Sequence, residues 1–280
     1  MDINYKITKF QNGQTKVYKD LVSVEEPLEM RLKYQSNGKF INQNISITMR
    51  TPGDDENLLR GFLFNERIIE NIDEIEKIES IGEPVGDYNL QNKVEATIKN
   101  NKNIDIEKYK RNFLTNSSCG VCGKTSLDTI ELINNKKMDI SFPIISENII
   151  LKSPELLVNE QSEFSKTGGI HASALINDHG KVIALKEDVG RHNALDKLIG
   201  FSLLEGKLNP KNQFIACSGR LNFELVQKGI MSNIGLMAGV GAPTSLAVDL
   251  AKRFRMTLLG FVKNNSFNIY SHEERINLKK

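Results

Sequence analysis

The strongest constraint on the fold of this chain is a regular alternation of helix-like and strand-like segments in its second half. From residue 192 onwards these segments follow in the order "HNALDKLIGFSLLE", "QFIACS", "NFELVQKGIMS", "GLMAGV", "PTSLAVDLAKRF" and "MTLLGFV". Two strands, "GIHASALI" and "KVIALKEDV", precede them and are joined by a turn at 177–180. Short apolar strands that alternate with helices are typical of layered α/β domains. We therefore predict an α/β domain with a largely parallel sheet.

The first half of the chain has a different pattern, the period-2 alternation of half-buried strands. The predicted strands are "YKITKF", "KVYKDLVS", "ISITMR" and "KVEATIK". Helices are predicted in "TPGDDENLLRGFLFNERII", which starts with proline and acidic residues, and in "TSLDTIELINNKK". A polar connection around Pro143 then gives the predicted domain boundary. We expect a smaller, β-rich α+β domain over 1–142 and the α/β domain over 143–280.

A further helix is expected near the start of the second domain, in "SPELLVNEQSEFSKT". Serine is a favoured helix cap, and proline is favoured at the first helical position because an N–H there would have no partner. We therefore predict Ser153 as the cap and Pro154 as the first helical residue.

Composition excludes several classes of function. With 37 basic and 35 acidic side chains the net charge is +2, so charge gives no argument for nucleic-acid binding. No segment approaches the roughly 18 apolar residues of a membrane span, and the N-terminal segment does not resemble a signal peptide. Three cysteines do not make a disulfide framework. We expect a cytoplasmic protein that binds neither nucleic acid nor membrane.

The segment "TNSSCGVCGK" holds two of the cysteines, Cys119 and Cys122, and predicts thiol chemistry. A predicted helix start just after it, together with Lys124, favours the reactive thiolate. Zinc binding would need two further ligands, and the chain has no second CxxC and no HxxxH. A thioredoxin-type dithiol would follow the first strand of a domain of another size. A zinc half-site, a redox couple and a sulfur-carrying pair all stay open at this point.

Three strand-to-helix junctions predict a ligand site: "EDVGRHNALDK", "CSGRLNFE" and "GVGAPTS". In an open α/β sheet such junctions lie at the carboxyl ends of strands, where ligands usually bind. Glycine-rich turns offer backbone N–H groups to an anion, and Arg191 and Arg220 are placed to bind phosphate oxygens. One such junction would be an ordinary capped turn, whereas three together favour a ligand site.

The histidines and the third cysteine differ in their expected roles. His192 stands at a helix start beside the carboxylates of Glu187 and Asp188, so it is the better candidate for a functional histidine. His171 is a lone histidine in a strand, where a packed and hydrogen-bonded side chain is the usual finding. Cys217 is expected to be a small buried residue of an apolar strand.

Together these motifs resemble the FdhD family, the formate dehydrogenase accessory sulfurtransferases. The resemblance rests on "SSCGVCGK", "TGGIHASAL", "EDVGRHNALDK", "CSGRLNFELVQK", "APTSLAVDLA" and "GFVKNNSFNIYSHEERI", which stand in family order. It implies a sulfurtransferase that takes persulfide sulfur from a cysteine desulfurase. The sulfur would pass to the molybdenum-bis(molybdopterin guanine dinucleotide) cofactor of formate dehydrogenase, or to its tungsten counterpart. Members of the family are typically homodimers.

The resemblance also assigns residues. It implies that Cys119 carries the persulfide and that Cys122 assists. It places cofactor binding on Phe261, Val262, Lys263, Asn264, Asn265 and Ser266. Arg191, Arg220 and His192 are further candidates for contacts with the cofactor.

The fold that the resemblance implies is a three-layer C-terminal domain similar to cytidine deaminases. The zinc-binding H-x-E and P-C-x-x-C motifs of those enzymes are missing from this domain, so we expect neither deamination nor a metal of its own. Two other classes of function stay open. One is a cofactor-binding maturation chaperone whose cysteines only guard the site, and the other is a binding module stabilised by zinc or a cluster.

Overall fold

The computed structural model describes residues 2–36, 38–99 and 137–278. The segment with Cys119 and Cys122, and the helix predicted directly after it, lie outside the described residues. The described strands form a mixed α/β fold with several sheets. Within these ranges, no helix is long and apolar enough to cross a membrane.

The first part of the chain contains a separate hairpin and a four-stranded sheet. The strands are β1 (Asp2–Gln11), β2 (Gln14–Ser23), β3 (Glu26–Ser36), β4 (Lys39–Arg50), β5 (Ile75–Ser80) and β6 (Lys93–Ile98). β1 pairs with β2 alone, and the larger sheet has the order β4-β3-β6-β5. The four strands predicted here are confirmed. β3 was missed although its apolar residues alternate, and so was the short β5.

Helix α1 (Asp55–Asn65) covers one face of this four-stranded sheet. Leu28, Met30 and Leu32 of β3 are fully or almost fully buried against Leu58 and Leu59 of the helix. Alternate residues of a strand lie on one face, so the period-2 pattern of β3 presents one apolar face to α1. The N-terminal sheet therefore has a core of its own.

The second part contains a six-stranded sheet of order β13-β12-β11-β10-β8-β9. Its strands are β8 (His171–Asn177), β9 (Val182–Asp188), β10 (Gln213–Cys217), β11 (Leu236–Gly239), β12 (Thr257–Lys263) and β13 (Ser266–Ser271). Two short strands, β7 (Ile145–Ser146) and β14 (Ile276–Asn277), pair separately. The helices are α2 (Glu147–Glu160), α3 (Ser162–Thr167), α4 (Arg191–Leu204), α5 (Phe223–Met231) and α6 (Ser245–Phe254). The predicted alternation of strands and helices is confirmed.

The prediction of a largely parallel sheet is wrong. Only the β10–β11 and β11–β12 pairs are parallel, whereas β8–β9, β8–β10 and β12–β13 are antiparallel. Two hairpins cause the difference, because strands joined by a short turn must run in opposite directions. The parallel pairs are those connected through helices.

Helices cover both faces of this sheet. On β10, Ile215 and Cys217 belong to the buried cluster that includes residues of α4, α5 and α6. Phe214 and Ala216 belong to the opposite cluster, which includes Ile150 of α2. Every residue of β10 is buried, as expected for a strand between two layers of helices. The boundary at 142/143 and the likeness to cytidine deaminases stay predictions.

The start of the predicted helix around Pro154 is wrong. Helix α2 begins at Glu147, so Pro154 lies inside it and Ser153 is not its cap. Proline has no N–H for the carbonyl of the residue four positions earlier, here Ile150. The buried Ser153 hydroxyl donates to that carbonyl at 2.7 Å and replaces the missing donor. The segment also divides into two helices, because α3 begins after Gln161.

The two parts of the chain meet where α1 packs against α4. A Cβ atom at Gly61 would overlap the backbone of Asp196, and one at Gly200 would overlap the backbone of Asn57. Only glycine allows the two helices to approach this closely. This packing fixes the position of α4 relative to α1 and the N-terminal sheet.

Candidate functional site

The candidate site lies at one edge of the six-stranded sheet. Strands β9, β10, β11 and β12 run in the same direction, so their carboxyl ends share that edge, while the antiparallel β8 begins there. The amide of Gly241 donates to the carbonyl of Gly219 at 3.2 Å, and Leu221 forms a bridge with Pro243. The structure thus brings together the three junctions singled out in the sequence.

Arg191 and His192 occupy the first turn of α4. Gly190 precedes the helix and provides no side-chain cap. The Nε atom of Arg191 is buried and has no hydrogen-bond partner within the described ranges. A buried guanidinium nitrogen without a partner is costly, so it indicates a position for an anionic or hydrogen-bond-accepting ligand.

The His192 side chain contacts Glu224 of α5 and Asn222, the residue that precedes this helix. Its Nε2 lies 2.9 Å from Oε2 of Glu224 and 3.1 Å from Oδ1 of Asn222, the N-cap residue of α5. The hydrogen bond from His192 lowers the pKa of Glu224 and outweighs the opposing effect of burial. These contacts orient the His192 ring at the sheet edge.

His171 lies at the same edge, although the sequence suggested only a packed strand residue. It begins β8 and pairs with Asp188 at the end of β9. Its half-buried ring has Nδ1 3.5 Å from the Ser218 hydroxyl, and a Cβ at Gly219 would lie 3.2 Å from that nitrogen. The sequence did contain a signal for this position, the predicted hairpin of β8 and β9. The two strands of a hairpin are antiparallel, so the start of β8 lies beside the end of β9.

The carboxylates of Glu187 and Asp188 do not contribute to the site as the sequence suggested. Glu187 accepts hydrogen bonds from the amides of Glu163 and Phe164, at 3.1 and 2.9 Å, and so caps α3. Asp188 is fully buried and accepts from the amide of Gly190 at 2.8 Å and from other groups. Both side chains have structural partners, so neither is left to contact a ligand.

The remaining predicted residues of the junctions differ in exposure. Arg220 is exposed, so its guanidinium is accessible to a ligand. Cys217 is 3% exposed, and burial raises the pKa of its thiol to about 11. A thiol with that pKa is almost entirely protonated near neutral pH, so Cys217 is an inert packing residue, as expected.

The segment Phe261 to Ser266, predicted to bind the cofactor, ends β12, turns and begins β13. The amide of Phe261 donates to the carbonyl of Gly241 at 3.1 Å, which places this segment beside the third junction. The Phe261 ring is 43% exposed, and its φ of 52° is left-handed. The Val262 side chain is buried in the core, so only its backbone is available to a ligand. Lys263, Asn264, Asn265 and Ser266 are exposed.

Across residues 2–36, 38–99 and 137–278, no group of three or more His, Cys, Asp or Glu side chains is arranged to hold a metal ion. Because Cys119 and Cys122 lie outside these ranges, the zinc alternative stays open.

A cavity of about 380 Å³ lies elsewhere, between the start of α1 and the α2–α3 turn. Both lysines that line it are engaged with protein groups. Lys186 Nζ lies 2.6 Å from Oδ2 of Asp54, and Lys197 donates to the carbonyl of Thr51 at 2.9 Å. We therefore place the candidate site at the strand ends, where polar groups are left for a ligand.

Comparisons with known proteins agree with this description. The model of the FdhD/NarQ family matches residues 24–277, which leaves the β1–β2 hairpin outside the matched region. The chain is 41% identical to a sulfur carrier protein FdhD of Sulfurisphaera tokodaii over 271 residues, 97% of each chain. It is also 41% identical to a sulfur carrier protein FdhD of Streptomyces avermitilis over 276 residues, 98% of this chain and 95% of the other.

A crystal structure from Desulfotalea psychrophila, of a protein described as a formate dehydrogenase accessory protein, shares the fold. It matches with a TM-score of 0.73 over 99% of both chains. At 24% sequence identity, this likeness concerns the fold alone.

Proposed function

The chain belongs to the FdhD/NarQ family, and on this basis we propose that it is a sulfur carrier that serves the maturation of formate dehydrogenase. Its curated relatives are named sulfur carrier proteins, and they align over nearly the whole chain. In the proposed reaction, Cys119 accepts sulfur from a cysteine desulfurase. The sulfur is then delivered to the molybdenum or tungsten bis-pterin guanine dinucleotide cofactor of the enzyme.

The loading step is a thiolate exchange. The Cys119 thiolate attacks the terminal sulfur of the desulfurase persulfide, so that a new S–S bond forms on Cys119. The desulfurase cysteine leaves as a thiolate, and no electrons are gained or lost overall. Cys122 assists, and Lys124 favours the anionic form of the attacking sulfur.

The observation that carries the proposed cofactor site is the meeting of four chain segments at one sheet edge. Arg191 has a buried nitrogen without a partner, and Arg220 is exposed. The segment from Phe261 to Ser266 joins the same edge through the hydrogen bond of Phe261 to Gly241. Guanidinium groups bind phosphate oxygens bidentately, and an exposed aromatic ring can stack on a base. This set of groups fits a guanine dinucleotide, with His192 as a further contact.

Three other features belong to the same proposal. The C-terminal domain is similar to cytidine deaminases, and helices on both sheet faces support this. The protein works in the cytoplasm, where Cys119 stays reduced and can accept sulfur from the desulfurase persulfide. It acts as a homodimer.

Intact-mass measurement tests the proposed sulfur loading. After incubation with a cysteine desulfurase and cysteine, the protein should gain one sulfur atom, about 32 Da, as a persulfide. Cys119→Ala should abolish this gain. The matched control is Cys217→Ser, which should keep it because Cys217 is buried and protonated. An unchanged mass of the unaltered protein would refute sulfur loading and favour the chaperone alternative.

A further inference from the structure

His171 is a half-buried histidine at the candidate site to which no role has been given. It stands at the first position of β8, beside Arg191 of α4. A Cβ added at Gly219 would lie 3.2 Å from Nδ1 of His171 and 3.8 Å from Cδ of Arg191. Because glycine has no side chain, residue 219 lets His171 and the Arg191 side chain both pack closely against it.

The contacts of Ser218 are compatible with the tautomer of His171 that carries its hydrogen on Nε2. The Ser218 hydroxyl accepts a hydrogen bond from the amide of Ala172 at 2.9 Å. Its own hydrogen is then free to donate to Nδ1 of His171, 3.5 Å away. With Nδ1 as the acceptor, a neutral ring carries its hydrogen on Nε2. In the described part of the chain, Nε2 has no hydrogen-bond partner.

Burial and the neighbouring positive charges favour the neutral form of the His171 ring. Burial lowers its pKa below the ordinary value, and the neighbouring Arg191 and His192 lower it further. Asp188, its partner in the β8–β9 pairing, opposes this change but is itself engaged by Lys197. The ring therefore presents an N–H donor without a positive charge, next to a guanidinium that carries one.

From this geometry we propose that His171 is a ligand-binding residue, which donates its Nε2–H to a phosphate oxygen held by Arg191. The inference rests on the proposed function, because the phosphate belongs to the guanine dinucleotide of the delivered cofactor. Arg191 supplies the charge, and His171 supplies a directed hydrogen bond. Gly219 lets both side chains lie close together at the strand ends.

Calorimetric titration with guanosine diphosphate tests this proposal. His171→Phe keeps a ring but removes the donor, so its affinity should fall about tenfold, as expected for a lost hydrogen bond to a charged group. His171→Gln places an amide N–H near the position of Nε2, and its affinity should stay within about threefold of the unaltered protein. Thermal unfolding of each variant verifies the fold.

Proton uptake gives a second readout that a packing residue would not change. A bound phosphate raises the pKa of His171, so titrations near pH 6 in buffers of different ionisation enthalpy should show more proton uptake by the unaltered protein than by His171→Gln. This comparison holds even if His171→Phe fails to fold. Equal proton uptake by the two proteins would overturn the proposal.

The outcomes separate this inference from the proposed function. If the unaltered protein binds guanosine diphosphate and His171→Phe binds it equally well, the role of His171 is wrong while the cofactor site stands. If the unaltered protein does not bind the nucleotide, the cofactor site itself is wrong and the inference falls with it. Loss in His171→Phe with recovery in His171→Gln supports both.

Discussion

Lys197 Nζ lies 2.6 Å from Oδ2 of Asp188, and both side chains are almost completely buried. Lys197 also donates to the carbonyl of Thr51 at 2.9 Å, and Asp188 accepts from the Thr51 amide at 3.2 Å. Thr51 directly follows β4, and Asp188 ends β9. This pair therefore joins the N-terminal sheet to the junction that carries Arg191.

Replacement of Lys197 by methionine should destabilise the protein strongly. Methionine fills similar space but leaves the Asp188 carboxylate buried without its cation, a change that typically costs about 3–5 kcal/mol. Urea unfolding measures the loss. The control is Lys207→Met, which removes an exposed ion pair with Glu205 at 3.7 Å and should change stability by less than about 1 kcal/mol. Equal effects of the two variants would refute the structural role of the buried pair.

The contact between α1 and α4 predicts the opposite of the usual effect of alanine in a helix. Glycine to alanine inside a helix normally adds about 1 kcal/mol of stability. In Gly200→Ala, however, the new methyl would overlap the backbone of Asn57, so we expect a net loss of about 2 kcal/mol. Gly169→Ala is the control, because its nearest atom would be 3.9 Å away. A stabilised Gly200→Ala would show that the helices are farther apart.

The environment of His171 predicts its titration. Its pKa should lie below the ordinary value of about 6.5. NMR titration of the ring measures it, and His171→Gln identifies the signal. Because the pKa of His171 is lower in the folded than in the unfolded protein, the ring contributes to folding stability as long as it is neutral. This contribution is fully present above the unfolded pKa and is lost as the pH falls through the folded pKa. A value above 6.5 would contradict the described arrangement of charges.

The burial of Cys217 predicts low reactivity. In the variant Cys119→Ala/Cys122→Ala it is the remaining thiol, and its pKa of about 11 leaves little thiolate near neutral pH. Alkylation with iodoacetamide should therefore be slow in the native protein and fast in denaturant. Rapid native alkylation would show that Cys217 is accessible and would reopen a functional role for it.

The C-terminal elements were predictable because their helices and strands alternate and their apolar patterns are clear. The direction of the strands was harder, since β8 and β13 join the sheet through hairpins and make it mixed. The start of α2 was missed because the rule for proline at a helix start does not anticipate a serine that replaces its donor.

The location of the site could be predicted from the sequence, whereas the roles of several of its residues could not. The junctions with Arg191 and Arg220 meet because the ends of parallel strands share an edge. The importance of His171 depends on β8 lying between β9 and β10, an order that the sequence does not display. The roles of Glu187 and Asp188 depend on partners in α3 and after β4, which are distant in sequence.

Transfer of labelled sulfur tests the central claim most directly. The protein is loaded with ³⁵S through a cysteine desulfurase, freed of excess cysteine, and mixed with formate dehydrogenase whose cofactor lacks the delivered sulfur. We predict that the label moves to the enzyme's cofactor as activity appears, and that Cys119→Ala supports neither. Activity without transferred label, or full activation by Cys119→Ala, would contradict the sulfur-carrier account and identify a cofactor-binding chaperone.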